Sequence, residues 1–366
     1  MGAEGYNANG RNPVLLQTSS MIILAIETSC DETAVAILDA QGERVTPLAN
    51  IVSSQISLHA QYGGVVPALA AREHAANIQH VLEAALSEAR IRDARASIDL
   101  IAVTRGPGLG PALLVGIMFA RTLAWAWNKP LIGVDHMDGH VHSNWLEREA
   151  PIAFPALNLI VSGGHTDLVR MTDHSSCNII GETRDDAIGE AFDKVARLLD
   201  LGYPGGPKIS ALALEGDPQA FALPRPMLDA DNFDFSYSGL KTAVLYLVRD
   251  LTKDGSPLTD QQKADVAASF QEAAIDVLVQ KTRRAARQHG VASILLSGGV
   301  SANKVLRARV EALGAERGIP ACIPPMKYTT DNAAMIGTAG YFMHLANPDA
   351  EHPWQEVTMD ANMRLC

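Results

Sequence analysis

Apolar residues fall along this chain in short continuous runs bounded by small polar turns. Residues 21–38, MIILAIETSCDETAVAIL, read as an apolar strand, a polar turn and a second apolar strand. The pattern returns at 156–171, ALNLIVSGGHTDLVRM, which points to two structurally related halves, with chance similarity of two hairpins as the competing explanation. In the first half PALAAREHAANIQHVLEAALSEAR has helical spacing, IDLIAVT is a strand, and a Gly/Pro-rich turn opens the helix ALLVGIMFARTLAWAW. In the second, DDAIGEAFDKVARLLD and KADVAASFQEAAIDVLVQKTRRAARQHG are helical, followed by the strand SILLSGG. Strands alternating with helices call for an α/β architecture, here two sheet-centred lobes around a cleft. We expect a flexible extension over 1–20, a first lobe over 21–150 joined by the helical region 320–346, a second lobe over 151–319, and an aperiodic tail over 347–366.

Composition narrows the function. The 366 residues are 47% hydrophobic, enough for an ordinary globular core. A net charge of −11 without a long basic run excludes indiscriminate binding of nucleic acid through phosphate neutralisation. Cys30, Cys177, Cys322 and Cys366 lie far apart with no C-x-x-C pair, which argues against a disulfide framework or a zinc knot and favours a reducing compartment. The first 20 residues lack the apolar core of a signal peptide. The longest apolar run, PALLVGIMFARTLAWAW, is interrupted by Arg121, so no bilayer span is expected and the chain reads as soluble and cytoplasmic.

Four glycine-rich turns follow. RGPGLGP at 105–111 sits between a strand and a helix, where free backbone N–H groups favour an anion, although a tight turn needing glycine explains it equally well. SGGH at 162–165, YPGGP at 203–207 and SGGVSAN at 297–303 repeat the theme. Glycine pairs at strand ends let backbone approach a ligand closely, and we expect several of these turns to converge on one nucleotide-like ligand.

The candidate chemistry lies in DHMDGHVH, 135–142. His136 and His140 fall one turn apart on one helical face, a geometry that suits two imidazoles on one metal ion. Zinc proteases share this spacing in H-E-x-x-H, where the glutamate is the general base; here Met137 stands in its place and cannot accept a proton. The alternative is a pair of surface or capping histidines, which Gly139, Asp135 and Asp138 make less attractive. Asp331 in YTTDNAAMIG offers a third ligand, and a helix N-cap is its other reading. Two imidazoles and a carboxylate with open positions suit iron(II) or zinc.

Taken together the motifs become specific. ETSCDET (27–33), YGGVVPALAAREH (62–74), GPGL with ALLVG (106–116), HMDGH (136–140), VSGGHT (161–166), GEAFDKVA (189–196), YPGGP (203–207), FSYSGLKT (235–242), SGGVSAN (297–303) and TDNAAMIG (330–337) resemble, in order, the universal tRNA threonylcarbamoyladenosine transferase family. The resemblance runs from Met21 to about Tyr341. It implies a two-lobed, actin-like, sugar-kinase-like fold. It also implies transfer of a threonylcarbamoyl group from threonylcarbamoyl-adenylate to the exocyclic amine of the adenosine 3′ of the anticodon, in tRNAs reading codons that begin with A. By the same resemblance His136, His140 and Asp331 match the ligands of one divalent metal, usually iron and sometimes zinc. Ile160, Val161, Ser162, Gly163 and Gly164, with Asp193, Gly206 and Asn303, match positions that hold the adenylate, and Asp31 and Glu32 match acidic residues near the transfer site. Implied partners are tRNA, a paralogous subunit of the same fold and a small ATPase, with no membrane.

Two positions depart from the family pattern: Pro111 in GLGPALLVG shifts a glycine, and Thr330 replaces a frequent cysteine. The adenylate is already activated, so the residues have mainly to position the reactants and stabilise charge, with the metal binding or polarising the threonylcarbamoyl moiety. Asp31 or Glu32 accepts or orients the amine proton, or serves only the turn. The strip KTRRAAR, 281–287, reads as a solvated helix face more readily than as a tRNA contact. Of the rivals, a metalloprotease lacks its base, a small-molecule kinase leaves the histidine pair unexplained, and a silent scaffold paralogue typically loses the histidines.

Overall fold

The computed structural model describes residues 20–348 and 352–366. The expected extension over 1–20 therefore lies almost wholly outside the described residues.

The first apolar run becomes β1 (Met21–Glu27), and its polar turn leads into β2 (Glu32–Gln41) and then β3 (Arg44–Ser54). Three helices follow, α1 (Ile56–Ala60), α2 (Pro67–Glu88) and α3 (Ala94–Ser97), then β4 (Leu100–Gly106), α4 (Gly110–Trp127), β5 (Leu131–Asp135) and α5 (His136–His142). The second half holds β6 (Ala156–Val161), β7 (Thr166–Met171), β8 (Cys177–Gly181), α6 (Ile188–Leu198), α7 (Gly205–Leu212), α8 (Ser238–Leu251), α9 (Asp260–His289), β9 (Ser293–Ser297), α10 (Lys304–Arg317), β10 (Ala321–Cys322) and α11 (Ala333–Ala346).

The sheets run β3-β2-β1-β4-β5 and β10-β9-β6-β7-β8. Each is built around one strand, β1 or β6, with an antiparallel hairpin partner on one side and a parallel strand on the other. The duplicated hairpin pattern thus has a structural counterpart, one lobe repeating the wiring of the other. β6 is buried along its whole length, as covered faces on both sides of a sheet require.

One apolar cluster fills the space between the sheets, joining Ala25 and Leu38 of the first to Ile160 and Leu295 of the second. Helix α11 is the keystone of that layer. A Cβ on its Gly337 would come within 2.4 Å of Leu38, so only glycine lets the helix lie this close to β1 and β2. This contact carries the chain segment just before α11 to the mouth of α5.

Two expectations change. Helix α4 is long and apolar enough to cross a membrane by length and composition, despite Arg121. Its Leu113, Ile117 and Ala120 nevertheless pack into the first lobe, while Leu114, Met118 and Trp125 face outward. The aperiodic C-terminal stretch docks: the Leu131 N–H donates to the His352 carbonyl at 3.2 Å, and the Asp360 N–H to the Arg105 carbonyl at 2.9 Å. The segment thereby covers the outer edge of β5, which would otherwise offer unpaired backbone groups. It ends in a Cys177–Cys366 disulfide across 189 residues. Cysteine spacing argued against such a bond, because nothing in the local sequence reveals that the chain end reaches β8.

Candidate functional site

Helix α5 starts where β5 ends, and Asp135 caps it by accepting from the N–H groups of Met137 at 2.7 Å and Asp138 at 3.3 Å. Burial pushes the Asp135 carboxyl up to about 6 against those bonds. Asp138 turns away to His142, whose Nδ1 lies 3.0 Å from its carboxylate. The aspartates flanking the histidines are thus cap and support. Met137, at the position a protease base would take, is buried in the apolar layer between the sheets.

His136 and His140 do share one face, their rings meeting edge to face with centroids 4.7 Å apart. Asp331, 191 residues beyond His140, arrives from the loop before α11. Its Oδ1 lies 3.5 Å from His136 Nε2 and 3.2 Å from His140 Nε2. One ligand atom from each residue falls within 4.8 Å of the others, a grouping that can hold a metal ion. The capping duty goes to Asn332, which accepts from the Met335 N–H at 3.1 Å and leaves Asp331 free to face the histidines.

Sequence reasoning missed the support behind this group. Glu27, the last residue of β1, is fully buried and sets its Oε2 3.0 Å from His136 Nδ1. Thr104 donates to the same oxygen at 2.5 Å, and the Ser29 N–H donates to Oε1. Burial alone would raise the Glu27 carboxyl, but the facing His136 outweighs it and the net direction is down. Burial likewise opposes charge on His136, yet Asp331 and Glu27 hold its pKa well above the usual imidazole range. Burial also resists ionisation of Asp331, and the two imidazoles overcome it and hold that carboxyl far down. The cluster is an electrostatic trap for positive charge. With Nδ1 of His136 engaged by Glu27, Nε2 is the nitrogen turned toward Asp331, which is the donor arrangement a divalent cation requires.

The turn between β1 and β2 brings Asp31, 7% exposed, and Glu32 alongside. Burial, then Asp331 and Asp31, push the Glu32 carboxyl up to about 9. A second missed residue, His74 of α2, braces this turn from behind: its Nε2 donates to the Cys30 carbonyl at 3.0 Å and its Nδ1 sits 2.8 Å from Thr33 Oγ1. Burial lowers its pKa, in keeping with a neutral ring in that role. A lone polar residue ending a strand and a histidine in an alanine-rich helix gave no periodic signal that would have marked either.

Across the cleft, three of the four glycine turns converge. Gly298, at φ +87°, lies so close to β6 that a Cβ would be 2.4 Å from the Val161 carbonyl. Gly189 is packed as tightly on Ser162, 2.5 Å from its carbonyl on the same measure. Asp193 accepts from the Gly205 N–H at 2.7 Å, which ties α6 to the start of α7. Asn303 caps α10 and donates to Ser210 of α7 at 2.9 Å and to Gln271 of α9 at 2.7 Å. By contrast Gly163, Gly164, Gly206 and Gly299 face open space. Ile160 and Val161 point their side chains into the core, so only backbone from that stretch reaches the cleft. Helix α5 packs against β6 and β9, which places the glycine turns at their ends beside the histidine pair, and His165 in one of them is pushed down by burial and by His136 and His140. Burial, then the carboxylates of Asp31 and Asp193, push the Tyr203 phenol up to about 12.

The fourth turn does other work. A Cβ on Gly108 would fall 2.7 Å from the Ser29 carbonyl, and one on Gly106 would overlap the Asp360 carbonyl, so RGPGLGP is a close-packed turn. Pro111 fits without distortion in the first turn of α4. Thr330 is exposed, and its carbonyl accepts from Asn332 at 2.8 Å.

The geometry agrees with the relationships of the whole chain. The profile of tRNA N6-adenosine threonylcarbamoyltransferase, TsaD, matches residues 46–338. The chain belongs to this family of transferases. A tRNA N6-adenosine threonylcarbamoyltransferase from Moorella thermoacetica is 51% identical over 323 residues, covering 88% of this chain and 92% of its own. Proteins of the same name from Bacillus cereus and Ralstonia pickettii are 52% identical over 326 residues and 50% over 329, covering 89% and 90% of this chain and 92% and 93% of their own. Among solved structures, full-length HypF in its phosphate- and nucleotide-bound form superposes with a TM-score of 0.59 at 14% identity, covering 93% of this chain and 48% of HypF. HypF from T. kodakarensis gives 0.60 at 14% identity, with 92% and 50% covered. These likenesses carry the two-lobed, actin-like α/β fold and nothing finer.

Proposed function

We propose that the chain transfers the threonylcarbamoyl group of threonylcarbamoyl-adenylate to the exocyclic amine of the adenosine 3′ of the anticodon, in tRNAs reading A-starting codons. The carrying observation is the meeting of His136, His140 and Asp331 beside a cradle of open glycines. The amine nitrogen forms a bond to the carbamoyl carbon, the bond from that carbon to the phosphate oxygen breaks, and AMP leaves with the electron pair.

In this reading the backbone at Ser162, Gly163, Gly164 and Gly206 admits the adenylate closely, while Asp193 and Asn303 hold the cradle in shape through the bonds described above. Asp31, on the opposite wall, accepts or orients the proton released by the amine, and Glu32, whose raised carboxyl keeps its own proton at neutral pH, orients it. His136, His140 and Asp331 would hold one divalent ion, iron(II) or zinc, with Glu27 fixing the His136 tautomer. When bound, that ion supplies Lewis-acid polarisation of the threonylcarbamoyl group without redox change.

The functional lobes are then 21–150 with 320–346, and 151–319. In this reading a paralogous subunit of the same fold and a small ATPase complete the assembly in the cytoplasm.

The test is to mix the chain, partner proteins, labelled threonylcarbamoyl-adenylate and unmodified tRNA, and to follow label into the adenosine. Transfer that His140→Ala abolishes supports the reading; full transfer by a metal-free chain overturns the role of the histidine group. Asp31→Asn and Glu32→Gln, both retaining the wild-type single-turnover rate, would remove the proton-acceptor role.

A further inference from the structure

The strip KTRRAAR divides: its arginines keep the solvated face that the sequence implies, and Lys281 leaves it. Lys281 is 1% exposed, donates to the Asn232 carbonyl at 3.2 Å and lies over the Phe235 ring. The arginines after it turn into an open pocket of about 640 Å³ on the second lobe. Arg283, Arg284 and Arg287 of α9 enter from one wall and Arg317, at the end of α10, from the other. Asp229 and Glu316 are the carboxylates of the lining.

The charge balance favours an anion. Two carboxylates and the C-terminal dipoles of α9 and α10, about half a charge each, offset roughly three of the five cations. The pocket stays positive in a chain whose net charge is −11. Its guanidinium groups are incompletely used. Arg283 is committed to Gln280 at 2.7 Å and Glu316 at 3.0 Å, and Arg284 to the Leu228 and Asn232 carbonyls, whereas Arg287 is exposed with no ion pair or hydrogen bond among the described residues. Arg317 makes one long bond, 3.5 Å to the Ala286 carbonyl. Planar guanidinium forks arranged around an open depression suit phosphate oxygens, and openness suits a strand that enters and leaves.

The position matters as much as the charge. Helix α10 begins at Asn303 in the cradle and ends at Arg317, so its 14 residues set the pocket about 20 Å from the cleft. A small ligand of the cleft cannot reach that far, but the body of an RNA held there by one loop can.

We propose that this pocket binds backbone phosphates of the substrate tRNA, away from the modified nucleotide, and so supplies the local attraction that an acidic chain otherwise lacks. The inference rests on the tRNA-modifying reading above. Phosphate contacts of this kind position without reading sequence, so they act on affinity and register and leave the chemical step alone.

The experiment compares the full wild-type chain with Arg287→Gln/Arg317→Gln and with a charge-matched control on the first lobe, Arg92→Gln/Arg95→Gln. Unmodified tRNA transcript is titrated against each at several salt concentrations, and the KM for tRNA and kcat are measured in the complete transfer mixture. The pocket variant should raise KM for tRNA about tenfold with kcat unchanged. Its salt slope should also fall by about two, one for each lost phosphate contact. The control should match wild type. Wild-type transfer with unaltered KM and slope in the pocket variant overturns the pocket alone. Absence of both tRNA binding and transfer in the wild type overturns the tRNA-modifying reading and the pocket with it.

Discussion

Glu27 Oε2 and His136 Nδ1 lie 3.0 Å apart, and this buried pair decides which nitrogen of the imidazole faces Asp331. A carboxylate behind a ligating histidine fixes its tautomer and raises its basicity, and loss of such a partner typically costs 10–100-fold in metal affinity. Glu27→Gln keeps the shape and removes the charge. Its affinity for iron(II) or zinc, read by competition with a chelator, should fall within that range while the circular dichroism spectrum is retained; unchanged affinity would leave Glu27 a purely structural residue.

Asp331 and Asn332 are neighbours with separable duties. Asn332→Ala removes the α11 cap and should lower unfolding free energy by about 1 kcal/mol, measured by urea titration. Asp331→Ala removes only the carboxylate facing the histidines. It should abolish stoichiometric metal binding, read by competition with a chelator, whereas Asn332→Ala should retain it. Metal binding retained in Asp331→Ala would show that this carboxylate is no ligand.

The glycines of the cleft divide in the same manner. A methyl group at Gly163 meets nothing within 4 Å, whereas at Gly189 it would press on the Ser162 carbonyl. Gly163→Ala should keep the thermal midpoint and raise KM for the adenylate about tenfold. Gly189→Ala should lower the midpoint by several degrees, in line with the 1–3 kcal/mol cost of overpacking.

Much of this arrangement was legible in the sequence, and the failures have physical reasons. Strands buried on both faces are continuous apolar runs, so β1, β2, β6 and β7 stand out, and the i, i+4 histidines follow from helical geometry. Asp331 was ambiguous because a carboxylate before an apolar helix is also a good cap, and only coordinates give that task to Asn332. RGPGLGP admitted an anion turn and a tight turn equally, because glycines allow close approach in either case; what approaches is Ser29 and the Asp360 carbonyl. Lys281 was read as solvated because a charge run carries no sign of the Phe235 ring beneath it. The docked C-terminal segment was invisible because contacts such as Arg105 with Asp360 join distant positions without any period.

His174 gives a pH signature independent of the metal. It stacks on Phe342 with ring centroids 4.1 Å apart, and burial followed by the nearby His142 pushes its pKa down to about 4. The neighbouring Asp173 pulls the other way without prevailing. An unfolded histidine titrates near 6.5, so between about 6.5 and 4 the unfolded chain binds the extra proton. Stability is therefore full above about 6.5 and declines as pH falls toward 4. Replacing His174 with Phe should shrink the difference in unfolding free energy between pH 7 and pH 4.5 by roughly 2 kcal/mol. An unaltered difference would show that other groups govern the acid limb.

The order in which the chain is made gives the late arrival of Asp331 a further meaning. A ribosome releases His136 and His140 with more than half of the protein still to come, and the carboxylate that meets them emerges only near the end. Any product cut short between His142 and Asp331 keeps both imidazoles but loses the residue that faces them and the helix that seals the layer between the sheets. Products of partial translation therefore carry an incomplete histidine–aspartate group, which closes only once the last part of the second half has been made.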